Sequence, residues 1–149
     1  NKQAGTQQNL SSTAKTIVSL TAQTSPIGRA WIYEWEVGAD GAPNATDCAI
    51  TYDWVRQSTL GTGTNATTSP LDTADAAASS VSTVNMTVEP TTGVSLMAVA
   101  LNQRNSQRWI ARDEKSALII PATHLAGIAG RAVSTIYTST VVMTEFFNE

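Results

Sequence analysis

The stretch GRAWIYEWEVGADGAPNATDCAITYDWVRQS, residues 28–58, constrains the fold more than any other part of the chain. It gathers Trp31, Tyr33, Trp35, Tyr52 and Trp54 in a protein with only four Trp and three Tyr. They fall at alternate positions within each arm, and in a strand residues i, i+2 and i+4 share a face. Arg29, Trp31, Tyr33, Trp35 and Val37 are expected on one side of a first strand, with Ala30, Ile32, Glu34 and Glu36 on the other. Cys48, Ile50, Tyr52 and Trp54 repeat the pattern against Asp47, Ala49, Thr51 and Asp53. Between the arms, GADGAPNAT is a nine-residue run of turn formers. The pattern predicts a long β-hairpin with one aromatic face. Trp31, Tyr33 and Trp35 are expected to pack mostly inward, against a facing sheet or a neighbouring subunit. Exposure for sugar stacking is the rival expectation.

Similar signals recur along the chain. TIVSL (16–20), VSTVNMTVEP (81–90), VSLMAVAL (94–101), RWIAR (108–112) and ALIIP (117–121) read as strands. RAVSTIYTSTVVMTEFFNE (131–149) reads as one long strand, or two with a kink near Ser139 and Thr140. Short turns separate them and no stretch has amphipathic helical spacing. The expectation is an all-β fold: an antiparallel β-sandwich, jelly-roll-like, of about eight strands, with an immunoglobulin-like sandwich as the other arrangement. Residues 1–14 are polar and without periodicity, and are expected to form a flexible N-terminal arm ahead of a single sandwich domain at 15–149. Residues 58–80 are rich in Thr, Gly and Ala and read as a surface excursion. Ser69 and Pro70 there could cap one or two helical turns.

Composition narrows the function classes. Charged residues make up 14 % of the chain, against about 25 % in a typical domain. Thr occurs 22 times and net charge is −3. Nucleic-acid binding calls for clustered positive charge and is not expected. No segment approaches the ~18 apolar residues of a membrane span, and the polar start lacks the apolar core of a signal peptide. A first residue other than Met leads us to expect processing or preceding residues. The single cysteine, Cys48, cannot form an intrachain disulfide and reads as a small buried hydrophobe. Its isolation mildly favours an intracellular origin.

The side chains that could carry chemistry are few. His124 is the only histidine, in PATHLAG, and a Ser-His-Asp or Cys-His arrangement would have to use it. It reads as a loop residue. Glu34, Glu36 and Asp53 could share the face opposite the aromatics, where paired carboxylates would suit glycoside hydrolysis. The expected reading is a solvated outer strand face, since polar-out alternation is what an antiparallel sheet needs in any case. Asp40, Asn44 and Asp47 offer oxygen ligands in one loop, at a spacing unlike an EF-hand. Asn-x-Ser/Thr triplets begin at Asn9, Asn44, Asn65 and Asn85. Arg104, Arg108 and Arg112 recur at four-residue spacing and suit ion pairs at an interface. No catalytic, cofactor-binding or metal-ligating residue is expected, and no enzyme activity.

One resemblance covers most of the chain from Thr16 onward. The phrases GRAWIYEWEVGADGAPNATDCAITYDWVRQS, SPLDTADAA, NQRNSQRWIARDEKSALIIPATHLAGIAGRA and YTSTVVMTEFF together resemble small structural proteins encoded near the head genes of tailed bacteriophages. These are head decoration, or cement, proteins or related virion components. The resemblance implies a jelly-roll-like fold, a homotrimer, no enzymatic activity and no cofactor. It implies the major capsid protein as partner and a place on the capsid surface of a virion after synthesis in the host cytoplasm. A carbohydrate- or receptor-binding β-sandwich, such as a fibre or tail-associated domain, is the alternative.

Overall fold

A computed structural model describes residues 2–22 and 27–149. Among them it forms an all-β antiparallel sandwich of two six-stranded sheets. The strands in chain order are β1 Lys2–Asn9, β2 Lys15–Thr21, β3 Ala30–Ala39, β4 Ala49–Gln57, β5 Thr62–Ala66, β6 Ser69–Pro70, β7 Val81–Val88, β8 Thr92–Asn102, β9 Ser106–Ile110, β10 Leu118–Ile120, β11 Gly127–Val133 and β12 Thr140–Asn148. Sheet A runs β10-β3-β12-β1-β6, with β9 also pairing to β3, and sheet B runs β5-β7-β2-β11-β4-β8. The sandwich is as expected; the count rises from about eight strands to twelve.

The aromatic hairpin is corrected. β3 lies in sheet A and β4 in sheet B, so Asp40–Cys48 is an arch between sheets rather than a hairpin loop. Alternation specifies which face a residue takes, not which sheet its strand joins. The arch is fastened by Gln103, a buried residue of the β8–β9 turn. Its Oε1 accepts from the Asn44 amide at 2.9 Å, and its Nε2 donates to the Asn44 and Thr46 carbonyls at 3.1 and 3.2 Å. Its own amide donates to the Cys48 carbonyl at 3.0 Å.

The single aromatic face is also corrected. Opposite β3, Phe146 pairs with Glu34 but Phe147 pairs with Ile32, which leaves Tyr33 as an extra residue. Such a bulge reverses the phase of the strand. Before it, Ala30 and Ile32 are buried while Trp31 and Tyr33 are half-buried; after it, Trp35 and Val37 are buried and Glu36 is exposed. Of the three β3 aromatics only Trp35 enters the core. In β4 the expected alternation holds, with Ile50, Tyr52 and Trp54 all buried.

Trp35 and Trp54 meet between the sheets. Their rings stack at 4.1 Å and 20°, and Trp109 of β9 stacks on the other side of Trp35 at 5.9 Å and 19°. This column joins β3 and β9 of sheet A to β4 of sheet B. Ile17, Leu20, Ile32, Ile50, Ile120, Ile128, Met143 and Phe147 complete the core around it.

The N-terminal arm is the third correction. Lys2–Asn9 is a strand of sheet A, paired along its whole length with β12 from Lys2↔Phe147 to Asn9↔Thr140, and with β6 on its other side. Residue 1 lies outside the described residues. Among the side chains described in KQAGTQQN, Ala4 alone reaches the core, and the sequence has no hydrophobic period to detect; the main-chain ladder holds the strand instead. Leu10 follows, buried, with its amide donating to the Ser139 carbonyl at 3.1 Å. Deletion of residues 1–9 is therefore expected to strip β12 of a neighbour and detach β6. Urea unfolding should show a clearly lower midpoint or lost cooperativity, whereas removal of a free arm would leave the midpoint in place.

Two smaller expectations also change. Residues 58–80 contain β5, paired to β7, and β6, so the excursion is partly sheet, and Ser69 and Pro70 are strand rather than helix start. Of the two readings of 131–149, two strands is the one that holds, but they lie in different sheets, β11 in B and β12 in A, joined by residues 134–139 rather than by a kink. Residues 127–130, GIAG, already belong to β11 although three of the four are Gly or Ala. At Gly127 smallness is required, since a Cβ there would sit 3.0 Å from the Thr21 Cα and closer still to the Leu20 carbonyl oxygen.

Candidate functional site

The bulge at Tyr33 shapes the outer face of sheet A. Trp31 and Tyr33 are turned outward at one end of β3, and Glu34 and Glu36 follow on the same face. Beside the aromatics is an open cleft of about 390 Å³, bounded by Ala111, Asp113, Glu114, Ala117 and Asn148. Its wall is a short 3₁₀ turn, Glu114–Ser116, held by a capping box: Asp113 Oδ1 accepts from the Ser116 amide at 2.9 Å and Ser116 Oγ accepts from the Asp113 amide at 3.0 Å. The Ala111 amide donates to the Tyr33 carbonyl at 2.7 Å and fixes this turn to β3. Burial, helped by the nearby Glu34 charge, pushes the Tyr33 hydroxyl above its ordinary pKa, so it remains a hydrogen-bond donor.

A second groove of about 370 Å³ continues along β3 past Glu36 to Asp40, flanked by Ser106–Arg108 and by Val142 and Thr144. Arg108 lines this second groove. Its Nε lies 2.6 Å from Glu34 Oε1 and 3.6 Å from Glu36 Oε1. The hydrogen bond to Glu34, and then that residue's charge, raise the guanidinium pKa further. The two carboxylates are thus partners of one cation. Asp53 does not join them. It lies in sheet B, where its Oδ2 is 2.5 Å from Arg131 Nη2 and its Oδ1 accepts from Ser95 Oγ at 2.6 Å. The trio expected to share one face is divided between the two sheets.

The other singled-out residues are dispersed. His124 is exposed in the turn before β11. Cys48 is buried, with its thiol donating toward Gln103 Oε1 at 3.4 Å, as expected of a small core residue. Asp47 pairs with Arg104 at 2.8 Å, and that guanidinium's hydrogen bond holds its carboxyl below the usual range. Asn44 Nδ2 donates to the Ile136 carbonyl at 3.1 Å. Among the described residues no three His, Cys, Asp or Glu side chains are grouped to hold a metal. Arg104 and Arg108 find their partners within the chain, while Arg112 is exposed. Asn9, Asn65 and Asn85 are exposed and Asn44 is half-buried.

Glu145 and Gln103 are the residues that sequence reasoning passes over. Glu145 is fully buried beneath the indole column. Its Oε1 accepts from Trp54 Nε1 at 3.0 Å, and its Oε2 has no hydrogen-bond partner among the described residues. A Cβ at Gly130 would meet Met143 Sδ first and would also lie 3.2 Å from Glu145 Oε1, so the glycine leaves room for both side chains. Burial pushes the Glu145 pKa up to about 8, against a smaller lowering by the Trp54 hydrogen bond. The signal was present in TVVMTEFFN: Val141, Met143, Glu145 and Phe147 share one phase, and all four are buried. Glu145 borders neither surface hollow, so it is placed to shape the core rather than to meet a substrate.

The open edge of the sandwich is the remaining feature. β8 has eleven residues, TGVSLMAVALN, none of them charged, and pairs only with β4 among the described residues. Met97, Val99 and Leu101 on β8, and Trp109 on β9, face the core but are only partly buried. Val94 is 72 % exposed and Ile110, on β9, 55 %. Comparison with known proteins finds no matching family model, no matching curated protein and no matching solved structure.

Proposed function

We propose that this chain is a non-enzymatic assembly protein that decorates a bacteriophage capsid and stabilises it by bridging neighbouring capsid subunits. The observation that carries this reading is the uncharged β8 edge with its half-covered apolar seam. Proteins that remain single guard such edges with Lys, Pro or a covering loop. From Met97 to Asn102 the ladder to β4 runs without irregularity, so the outer side of β8 presents a regular row of amides and carbonyls. A subunit docked there would complete both the ladder and the seam. The phage resemblance supplies the kind of partner, the major capsid protein, and the trimeric state. A trimer offers three copies of each contact, and once one docks the others bind at high effective concentration.

The expected result is that purified protein sediments as an oligomer, binds undecorated heads and raises their melting temperature, since a ligand of the assembled state stabilises it by mass action. Val94→Lys with Ala98→Lys, both at exposed edge positions, should leave the fold intact and weaken association about tenfold or more. A monomer that ignores heads overturns the proposal. So does undiminished binding by the double lysine variant, which would move the contact away from β8.

A further inference from the structure

We propose that the cleft beside Trp31 and Tyr33 is a binding site for a neutral oligosaccharide. The proposal goes beyond the assembly reading and does not depend on it. It begins with the bulge. Without it, Tyr33 would have a cross-strand partner on β12 and the strand would keep one phase throughout; with it, two aromatic side chains stand outward on one face. Bulges of this kind re-aim side chains and are found beside binding sites. Residues two apart on a strand lie side by side at about 7 Å, so Trp31 and Tyr33 form a floor rather than a cage. An apolar floor suits the C–H face of a pyranose ring.

The rim supplies the complement to the ring's hydroxyl groups. Asp113 and Glu114 stand on the wall and Asn148 on the other side, next to Trp31 in the β3–β12 ladder. One Asp113 oxygen is held by the Ser116 amide. The other, with the Glu114 carboxylate and the Asn148 amide, presents acceptors to a ligand rich in O–H donors. Among the described residues no basic side chain lines the cleft, which disfavours an anionic ligand such as a phosphate or a uronate. The wall is already fixed by its capping box and by the Ala111–Tyr33 hydrogen bond, so little ordering would be needed on binding. A cleft of about 390 Å³ is within the usual size for a small-ligand site.

The test is calorimetric titration of the full chain with three neutral probes, cellopentaose, maltopentaose and chitopentaose, and with tetramethylammonium as a cationic rival. At least one sugar probe is expected to bind at millimolar concentration or below and to change the indole fluorescence. Trp31→Ala should weaken that binding about tenfold with the unfolding midpoint near that of the parent, since Trp31 is only half-buried. If that variant fails to fold, Glu114→Gln at an exposed position replaces it, with weaker binding expected. The proposal is overturned by no sugar binding at about 10 mM, by binding that neither variant weakens, or by tetramethylammonium binding where no sugar does.

Discussion

Trp35→Ala is expected to lower the unfolding free energy by about 3–5 kcal/mol, the usual cost of truncating a fully buried indole. Trp35 is 1 % exposed and lies between Trp54 and Trp109, so its loss opens a cavity in the middle of the column. Among the described residues its Nε1 has no hydrogen-bond partner, so the expected cost is one of packing. Trp35→Phe keeps a ring in the stack and removes an unpaired buried N–H; it should cost well under half as much. The informative comparison is Trp31→Ala. If β3 kept one phase, Trp31 and Trp35 would share a face and both truncations would be severe. With the bulge at Tyr33, Trp31 is outward and half-buried, and its truncation is expected to cost about 1 kcal/mol or less. Urea denaturation of the three variants reads all of this, and equal losses at positions 31 and 35 would refute the divided face.

That comparison also marks how far the sequence was legible. Alternation placed Ile50, Tyr52 and Trp54 correctly because β4 keeps its phase through Trp54, and it yielded the all-β sandwich because that rests on many strands rather than one. It failed at β3 because a bulge adds one residue, and nothing local in AWIYEWEV announces the addition; the reason lies across the ladder, where Phe146 and Phe147 occupy consecutive places. It failed at the supposed hairpin because a run of turn formers between two strands fits an arch as well as a loop. The deciding contacts come from Gln103, 57 to 59 residues away along the chain. β1 was invisible for a different reason: a polar strand held by its backbone carries no hydrophobic period. The outer carboxylates Glu34 and Glu36 were recognised, but their partner Arg108 is 74 residues from Glu34 in sequence, and only the fold brings it between them.

Glu145 supplies the second large effect, and its sign follows from linkage. In the unfolded chain it titrates near its ordinary value of 4.5, whereas in the fold it is held neutral up to about 8. Between those two values the folded state carries a proton that the unfolded state has lost, so stability falls as pH rises. The contribution is fully present below about pH 4.5, declines by about 1.4 kcal/mol per pH unit across the window, and levels off above about pH 8. Trp35 and Ala4 flank Glu145 in sheet A, and Trp54 and Gly130 face it from sheet B; none of the four carries a titratable charge. Asp47 and Glu149, whose pKa values are lowered, act in the opposite sense and in the acid range below this window. Glu145→Gln keeps an acceptor for the Trp54 indole and removes the titration. Its stability should run nearly flat from pH 5 to pH 9, near the parent at the acid end and well above it at the alkaline end. Urea midpoints for both proteins across that range decide the matter. Parallel curves would mean that Glu145 is ionised in the fold at neutral pH, with its second oxygen satisfied by a group or solvent molecule that reaches the core.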